Sequence, residues 1–253
     1  MNKGVGIFGK QYEIMFRNDP HAADSVDRVL TEQMIKLDGS SVEYLYGPYT
    51  DLSTRYTPGS RLFFDTLAAR LRGRTDSDTV DNIILFCRNI VANCDTDTEE
   101  MIFGGTEEEI VERSTDWCTD IARVACLLFQ VAGLPSRILN TANTKFAYSG
   151  HCVAEVYYDT KWGVADPTNG IVFRHLGGAP ASAWDLQNDR RVANRFTTGE
   201  QYASVGISNY YANDKGLYNY ATSRVNEYYR AVLKHSAQQW PGGIRWIHGE
   251  DQT

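Results

Sequence analysis

Three residues of this chain are of the types, and fall in the places, that thiol acyl chemistry requires: Cys118, His151 and Asp166. A thiol is a good nucleophile only as thiolate. The first turn of a helix favours that form, because unpaired amide N–H groups and the helix dipole stabilise negative charge there. The sulfur then needs a base to take its proton and return it to a leaving group. The imidazole in turn needs an acidic partner to hold its tautomer and orientation. Each residue alone has a structural explanation, and the signal is the three together.

The elements that must position them are legible from periodicity. Ser114, Thr115 and Asp116 are all suitable N-caps for a helix starting near Trp117. Cys118, Ile121, Ala122, Ala125, Phe129 and Ala132 form its apolar face, Gly133 suits its C-terminal cap and Pro135 stops further winding. Cys118 therefore belongs to a first turn. Beyond it the period changes to two: Val153, Glu155 and Tyr157 oppose Cys152, Ala154, Val156 and Tyr158, Asp159-Thr160 permits a turn, and Lys161 to Ala165 returns as a second strand. His151 opens the first strand and Asp166 ends the second. A two-residue turn faces His151 to Thr168 and makes Asp166 its diagonal neighbour on the same face, within reach of a leaning pair. Cys152 points to the opposite face and reads as structural.

Upstream, Val80, Ile83, Ile84, Cys87, Ile90, Val91 and Cys94 recur at helical spacing over 79–94, with both cysteines on the buried stripe. The acidic stretch Asp95 to Glu109 reads as a solvated connection. Ala22 to Leu37 and Arg61 to Leu71 read as helices separated by a loop over Tyr44 to Tyr56, and Asn219 to His235 as a helix in a Tyr-rich C-terminal segment. With no Pro- or Ser-rich linker, 1–253 is expected to be a single domain: a helical layer over 1–78, a core over about 79–170 and a partly helical extension over 171–253.

The runs Arg113-Ser114-Thr115-Asp116-Trp117-Cys118-Thr119-Asp120, Ala132-Gly133-Leu134-Pro135-Ser136-Arg137, Gly150-His151-Cys152-Val153-Ala154-Glu155 and Trp162-Gly163-Val164-Ala165-Asp166-Pro167-Thr168 resemble the transglutaminase-like superfamily. The resemblance implies an α+β fold, a papain-like core in which the nucleophile-bearing helix packs on an antiparallel sheet, with helical additions at both ends. It implies Cys118 as nucleophile, His151 as base and acid, and Asp166 as orienter. The implied activity is an acyl-thioester formed at an amide or activated acyl group and released to water or to an amine. The alternative is a non-catalytic interaction module of the same fold. Trp117 and Trp162, beside the nucleophile and on the Asp strand, are candidate walls of the acyl pocket. Two departures stand out: Asp116 occupies a place where members often carry Gly, and no Trp precedes Trp117 to supply the oxyanion donor of the animal crosslinkers. Those enzymes' calcium dependence is not carried over either, since the chain has no acidic EF-hand-like loop.

Composition narrows the partners. The chain has 253 residues, 25 Lys plus Arg against 32 Asp plus Glu, and 42% hydrophobic residues, which is enough for a sizeable core. A net charge of -7 tells against nucleic acid, whose affinity comes mostly from Lys and Arg on phosphates. No apolar run approaches a membrane span, and the N-terminus leads into no signal-peptide h-region, so a cytoplasmic protein is expected. The five cysteines lack close C-x-x-C pairs, and His21, His175, His235 and His248 lack ligand partners, so neither a disulfide scaffold nor a metal site is expected. No cofactor is expected: Gly4 to Gly9 matches G-x-G-x-x-G without the strand that must precede it. The expected partner is a peptide, a protein or a small acyl or amine substrate.

Overall fold

The computed structural model describes residues 37–192, apart from 38, 49, 95–100, 104, 144–145 and 190, together with the strands 205–211 and 244–246. The helices expected over Ala22 to Leu37 and Asn219 to His235 lie outside the described residues.

In chain order the helices are α1 (Gly39–Tyr46), α2 (Leu62–Leu71), α3 (Asp76–Ala92), α4 (Glu107–Arg113), α5 (Cys118–Val131) and α6 (Ala183–Asn188). The strands are β1 (Met101–Phe103), β2 (Ser136–Asn143), β3 (Phe146–Tyr158), β4 (Lys161–Asp166), β5 (Ile171–Val172), β6 (Val205–Tyr211) and β7 (Ile244–Trp246). The architecture is α+β. Strands pair antiparallel in the order β5-β4-β3-β2-β6, while β1 and β7 form a separate parallel pair.

Helix α5 is the centre of the molecule. Periodicity predicts one apolar face, yet every residue from Thr119 to Gln130 is buried, because β3 packs on one side and α2, α3 and α4 on the others. Its polar residues are therefore buried with their partners. The helix closes on a Schellman turn: Gly133 takes φ +89°, and the N–H groups of Gly133 and Leu134 donate to the carbonyls of Gln130 and Phe129 at 3.1 and 2.8 Å. The strands that follow supply both faces of a core. Cys152, Ala154, Val156, Tyr158 and Ala165 pack with α5 and α3, while Val153 and Val164 pack with Phe173, Ala183 and Leu186 behind the sheet.

The β3–β4 hairpin has the predicted turn and register, with Tyr158 opposite Lys161 and Ala154 opposite Ala165. Asp159 and Thr160 take φ +49° and +65°, the backbone of a type I′ turn. Strand β3 begins at Phe146, earlier than His151, and pairs on its other side with β2, which the period-two reading does not include. Helix α3 stops at Ala92, so Cys94 lies beyond the helix while Cys87 is buried within it. Tyr44 to Tyr46 belong to α1 and not to a loop.

The acidic connection is corrected. Within the stretch Asp95 to Glu109 lie strand β1 and the start of α4, capped by Thr106 with Glu109 in a reciprocal capping box. Glu107 is only 1% exposed, because Arg61 and Arg123 both reach its carboxylate. A run of acids looks solvated in sequence, and the arginines that bury this one come from the N-cap of α2 and from α5.

Candidate active site

The site is assembled where α5 begins. Ser114, at φ +65°, turns the chain out of α4, and buried Thr115 accepts the Trp117 N–H on its hydroxyl at 3.0 Å. Trp117 is the N-cap residue and makes no side-chain cap, so Ser114, Thr115 and Asp116 do not fill that role. Cys118 is then the first helical residue. An N-terminus without a side-chain acceptor leaves its amide N–H groups directed at whatever negative charge forms beside it.

Strand β3 runs past this helix start. The Cys118 thiol hydrogen-bonds with His151 and accepts the backbone N–H of Cys152. His151 Nε2 lies 2.9 Å from Asp166 Oδ2, which leaves Nδ1 as the nitrogen toward the sulfur. Asp166 is fully buried at 0% exposure, and its carboxylate is surrounded by donors. Oδ1 accepts the N–H groups of Thr168 and Asn169 at 2.9 and 3.0 Å, and Oδ2 accepts the Asn169 side-chain amide at 2.8 Å. These donors fix the plane of the carboxylate that faces His151.

The electrostatics follow from the geometry. Burial pushes the Cys118 thiol up, but the His151 hydrogen bond and charge, with the Cys152 N–H, outweigh it and bring the thiol below its ordinary value. Burial pulls His151 down, and the Asp166 and Cys118 contacts more than reverse this, raising it to about 10. The two shifts run in the directions that favour a thiolate beside an imidazolium. Burial pushes the Cys87 and Cys126 thiols up, and Cys152 also rises through burial and the adjacent Cys118 charge. Cys152 sits in the core on the sheet face expected for it.

The structure thus brings Cys118, His151 and Asp166 together. Trp117, next to Cys118 in the chain, is half-buried against the main core. Trp162 stands four residues along β4 from Asp166, about 13 Å at a strand's rise. Its ring packs edge-on to Tyr157 at 5.6 Å and beneath the Arg137 guanidinium at 3.9 Å. The cavity it lines includes neither Cys118 nor His151 nor Asp166. Asp116 is exposed.

Asn169 is the residue missed in the sequence. Its signal is the Asp-Pro-Thr-Asn run, where an Asn three places after a strand-ending Asp can turn back onto that carboxylate. Among the described residues no group of three His, Cys, Asp or Glu side chains could hold a metal ion, and no helix is long and apolar enough to cross a membrane.

A helix-borne cysteine against a strand-borne His–Asp pair, on an antiparallel sheet, defines the class of site. Residues 65–167 match the family model of the transglutaminase-like superfamily. Two solved structures are similar to the chain. One, described as a TGase, is 21% identical, with a TM-score of 0.34, over 58% of this chain and 40% of its own. The other, from Cytophaga hutchinsonii and provisionally described as a cysteine protease, is 16% identical, with a TM-score of 0.32, over 58% of this chain and 49% of its own. The match thus spans less than half the length of either protein. No curated protein matches the chain.

Proposed function

We propose that this protein is a thiol enzyme of transglutaminase-like type that forms an acyl-thioester on Cys118. The observation that carries the reading is the contact chain at the start of α5: a half-buried thiol hydrogen-bonded to His151, whose far nitrogen is held 2.9 Å from buried Asp166. The family match to residues 65–167 supports it.

In this reading the Cys118 thiolate attacks the carbonyl carbon of an amide or activated acyl group. The carbonyl oxygen becomes an oxyanion facing the Cys118 N–H at the uncapped helix start, where fixed donors stabilise developing charge. The His151 imidazolium gives its proton to the leaving amine or thiol, and the C–N or C–S bond breaks. Water or an amine then loses a proton to His151 and attacks the thioester, which restores the thiol pair. Asp166 holds the imidazole throughout. Trp117 forms part of the acyl-pocket wall. Water gives hydrolysis of a peptide or side-chain amide, and an amine gives acyl transfer; the shape of the acceptor side selects between them.

The test is intact-protein mass spectrometry after brief exposure to limiting iodoacetamide between about pH 5 and 9, with peptide mapping. Selective labelling of Cys118 below neutral pH, lost in His151→Ala, is expected. Uniform slow labelling of all five thiols would mean an idle site and a binding module. Cys118→Ala should abolish turnover of any acyl substrate found, with the fold retained.

A further inference from the structure

We infer that the cavity at the far end of β4 from Asp166 is a binding site for a neutral sugar ring. It has a volume of about 540 Å³ and is walled by Tyr46, Tyr157, Trp162 and Trp184. That size and aromatic lining suit a small ligand, with a few polar groups to orient it.

Two of its walls are held in place by buried charge. Arg137 donates from Nε to Glu155 Oε2 at 2.6 Å, and its guanidinium lies 3.9 Å over the Trp162 ring and 5.0 Å from the Tyr46 ring centroid. Tyr46 in turn donates its hydroxyl to Glu155 Oε1 at 2.8 Å, and Arg137 and Glu155 are both buried. A buried ion pair gives little net stability over an apolar pair of the same shape. Here it fixes the planes of two rings that would otherwise rotate. These two walls are therefore set before any ligand arrives, which lowers the ordering cost of binding.

The rim decides the ligand class. Lys161, His175 and Asp185 lie around the opening, and Asp185 is 3.3 Å from His175 Nε2 while also accepting the Ser182 N–H and hydroxyl at 2.8 and 2.7 Å. An exposed cation, Lys161, and an anion held by its cap, Asp185, stand at the same rim and favour a neutral guest. An ammonium ligand would meet the guanidinium already stacked on Trp162, and a wholly apolar one would strip water from the rim groups without replacing it. A pyranose satisfies both requirements. Its C–H face packs on an aromatic ring, while its hydroxyls accept from Lys161 and donate to Asp185. A proline-rich peptide, the other common guest of aromatic grooves, relies on ring donors for its carbonyls, and the Tyr46 hydroxyl is held by Glu155. The inference is independent of turnover at Cys118.

The experiment is saturation-transfer NMR on the full chain with maltose, cellobiose and N,N′-diacetylchitobiose, paired with tryptophan fluorescence titration. At least one disaccharide should receive saturation at its ring C–H protons and give a saturable fluorescence change. Trp184→Ala should weaken that binding about tenfold, with an unchanged melting temperature and unchanged Cys118 alkylation, and Trp184→Phe should recover most of it. Absence of transfer to all three sugars overturns the proposal. Binding that Trp184→Ala leaves untouched does so too, as does a proline-rich peptide that alone produces the Trp184-dependent change.

Discussion

His151 and Asp166 meet at 2.9 Å although they are not cross-strand partners. Direct pairing of β3 with β4 runs from Tyr158 opposite Lys161 to Ala154 opposite Ala165, and His151 reaches diagonally past its end. Because the offset is even, both side chains stay on one face; a slip of one residue would send them to opposite faces. Asp166→Asn keeps the shape and removes the charge that supports the imidazolium. Turnover should fall by about two to four orders of magnitude, with residual activity retained. A kinetic comparison at neutral pH checks this, and an unchanged rate would remove Asp166 from the mechanism.

Asn169 acts one contact further out. Its side-chain amide and backbone N–H both donate to Asp166, so Asn169→Ala removes one donor to a buried carboxylate and leaves the turn intact. A hydrogen bond to a charged group is worth about 1.5–3 kcal/mol, and part of that should appear as a drop of about tenfold in the Cys118 alkylation rate. Asn169→Asp should be worse than the alanine variant, because it sets a second carboxylate beside the first. Equal rates in all three proteins would assign Asn169 to the turn alone.

The pH dependence has a definite sign. Cys118 is held below its ordinary value of 9.0, so its alkylation rate should rise through a midpoint lower than that of a free thiol. A second change is expected near pH 10, where His151 loses its proton. Cys87, Cys126 and Cys152, whose thiols are buried and pushed up, should stay silent over the same range in the folded protein. In stability terms His151 is a group whose pKa is raised on folding. Its contribution is complete below its ordinary 6.5 and is lost as pH rises through about 10. The melting-temperature difference between wild type and His151→Ala should therefore shrink from pH 6.5 upward. A difference that grows instead would mean His151 is neutral in the folded protein.

What the residues disclosed in advance was local. Cys118 at a helix start, the Asp159-Thr160 turn and the His151–Asp166 parity all follow from spacing within a few residues of each site, because helix and strand periods are themselves local. Strand β2 was not legible, since Ser136-Arg137-Ile138-Leu139-Asn140-Thr141-Ala142-Asn143 has no clean alternation. Its Arg137 is buried by partners far away in the chain, Glu155 and Leu45. Trp162 is placed by the same kind of distant contact, under the Arg137 guanidinium and in a cavity that does not include Asp166. Its nearness to Asp166 in sequence is nearness along a strand, and four residues of strand span about 13 Å.

Arg61, Arg113 and Arg123 meet Glu107, Glu108 and Asp120 in one network that ties the loop before α2, all of α4 and the first turns of α5 together. Glu107, Asp120 and Arg123 are at most 1% exposed, and Asp120 lies two residues past Cys118. Removing one partner from a buried pair leaves a charge without compensation, which costs about 3–5 kcal/mol. Glu107→Gln strips Arg123 of its closest carboxylate and should lower the melting temperature by roughly 6–20 °C for a chain of this size. The exposed pair Arg191–Asp189 serves as the control, since solvent screens it, and Arg191→Ala should leave the melting temperature unchanged. Scanning calorimetry on the two variants separates the cases. Equal melting temperatures would mean that the α4–α5 charges are interchangeable with apolar packing and do not set where α5, and with it Cys118, begins.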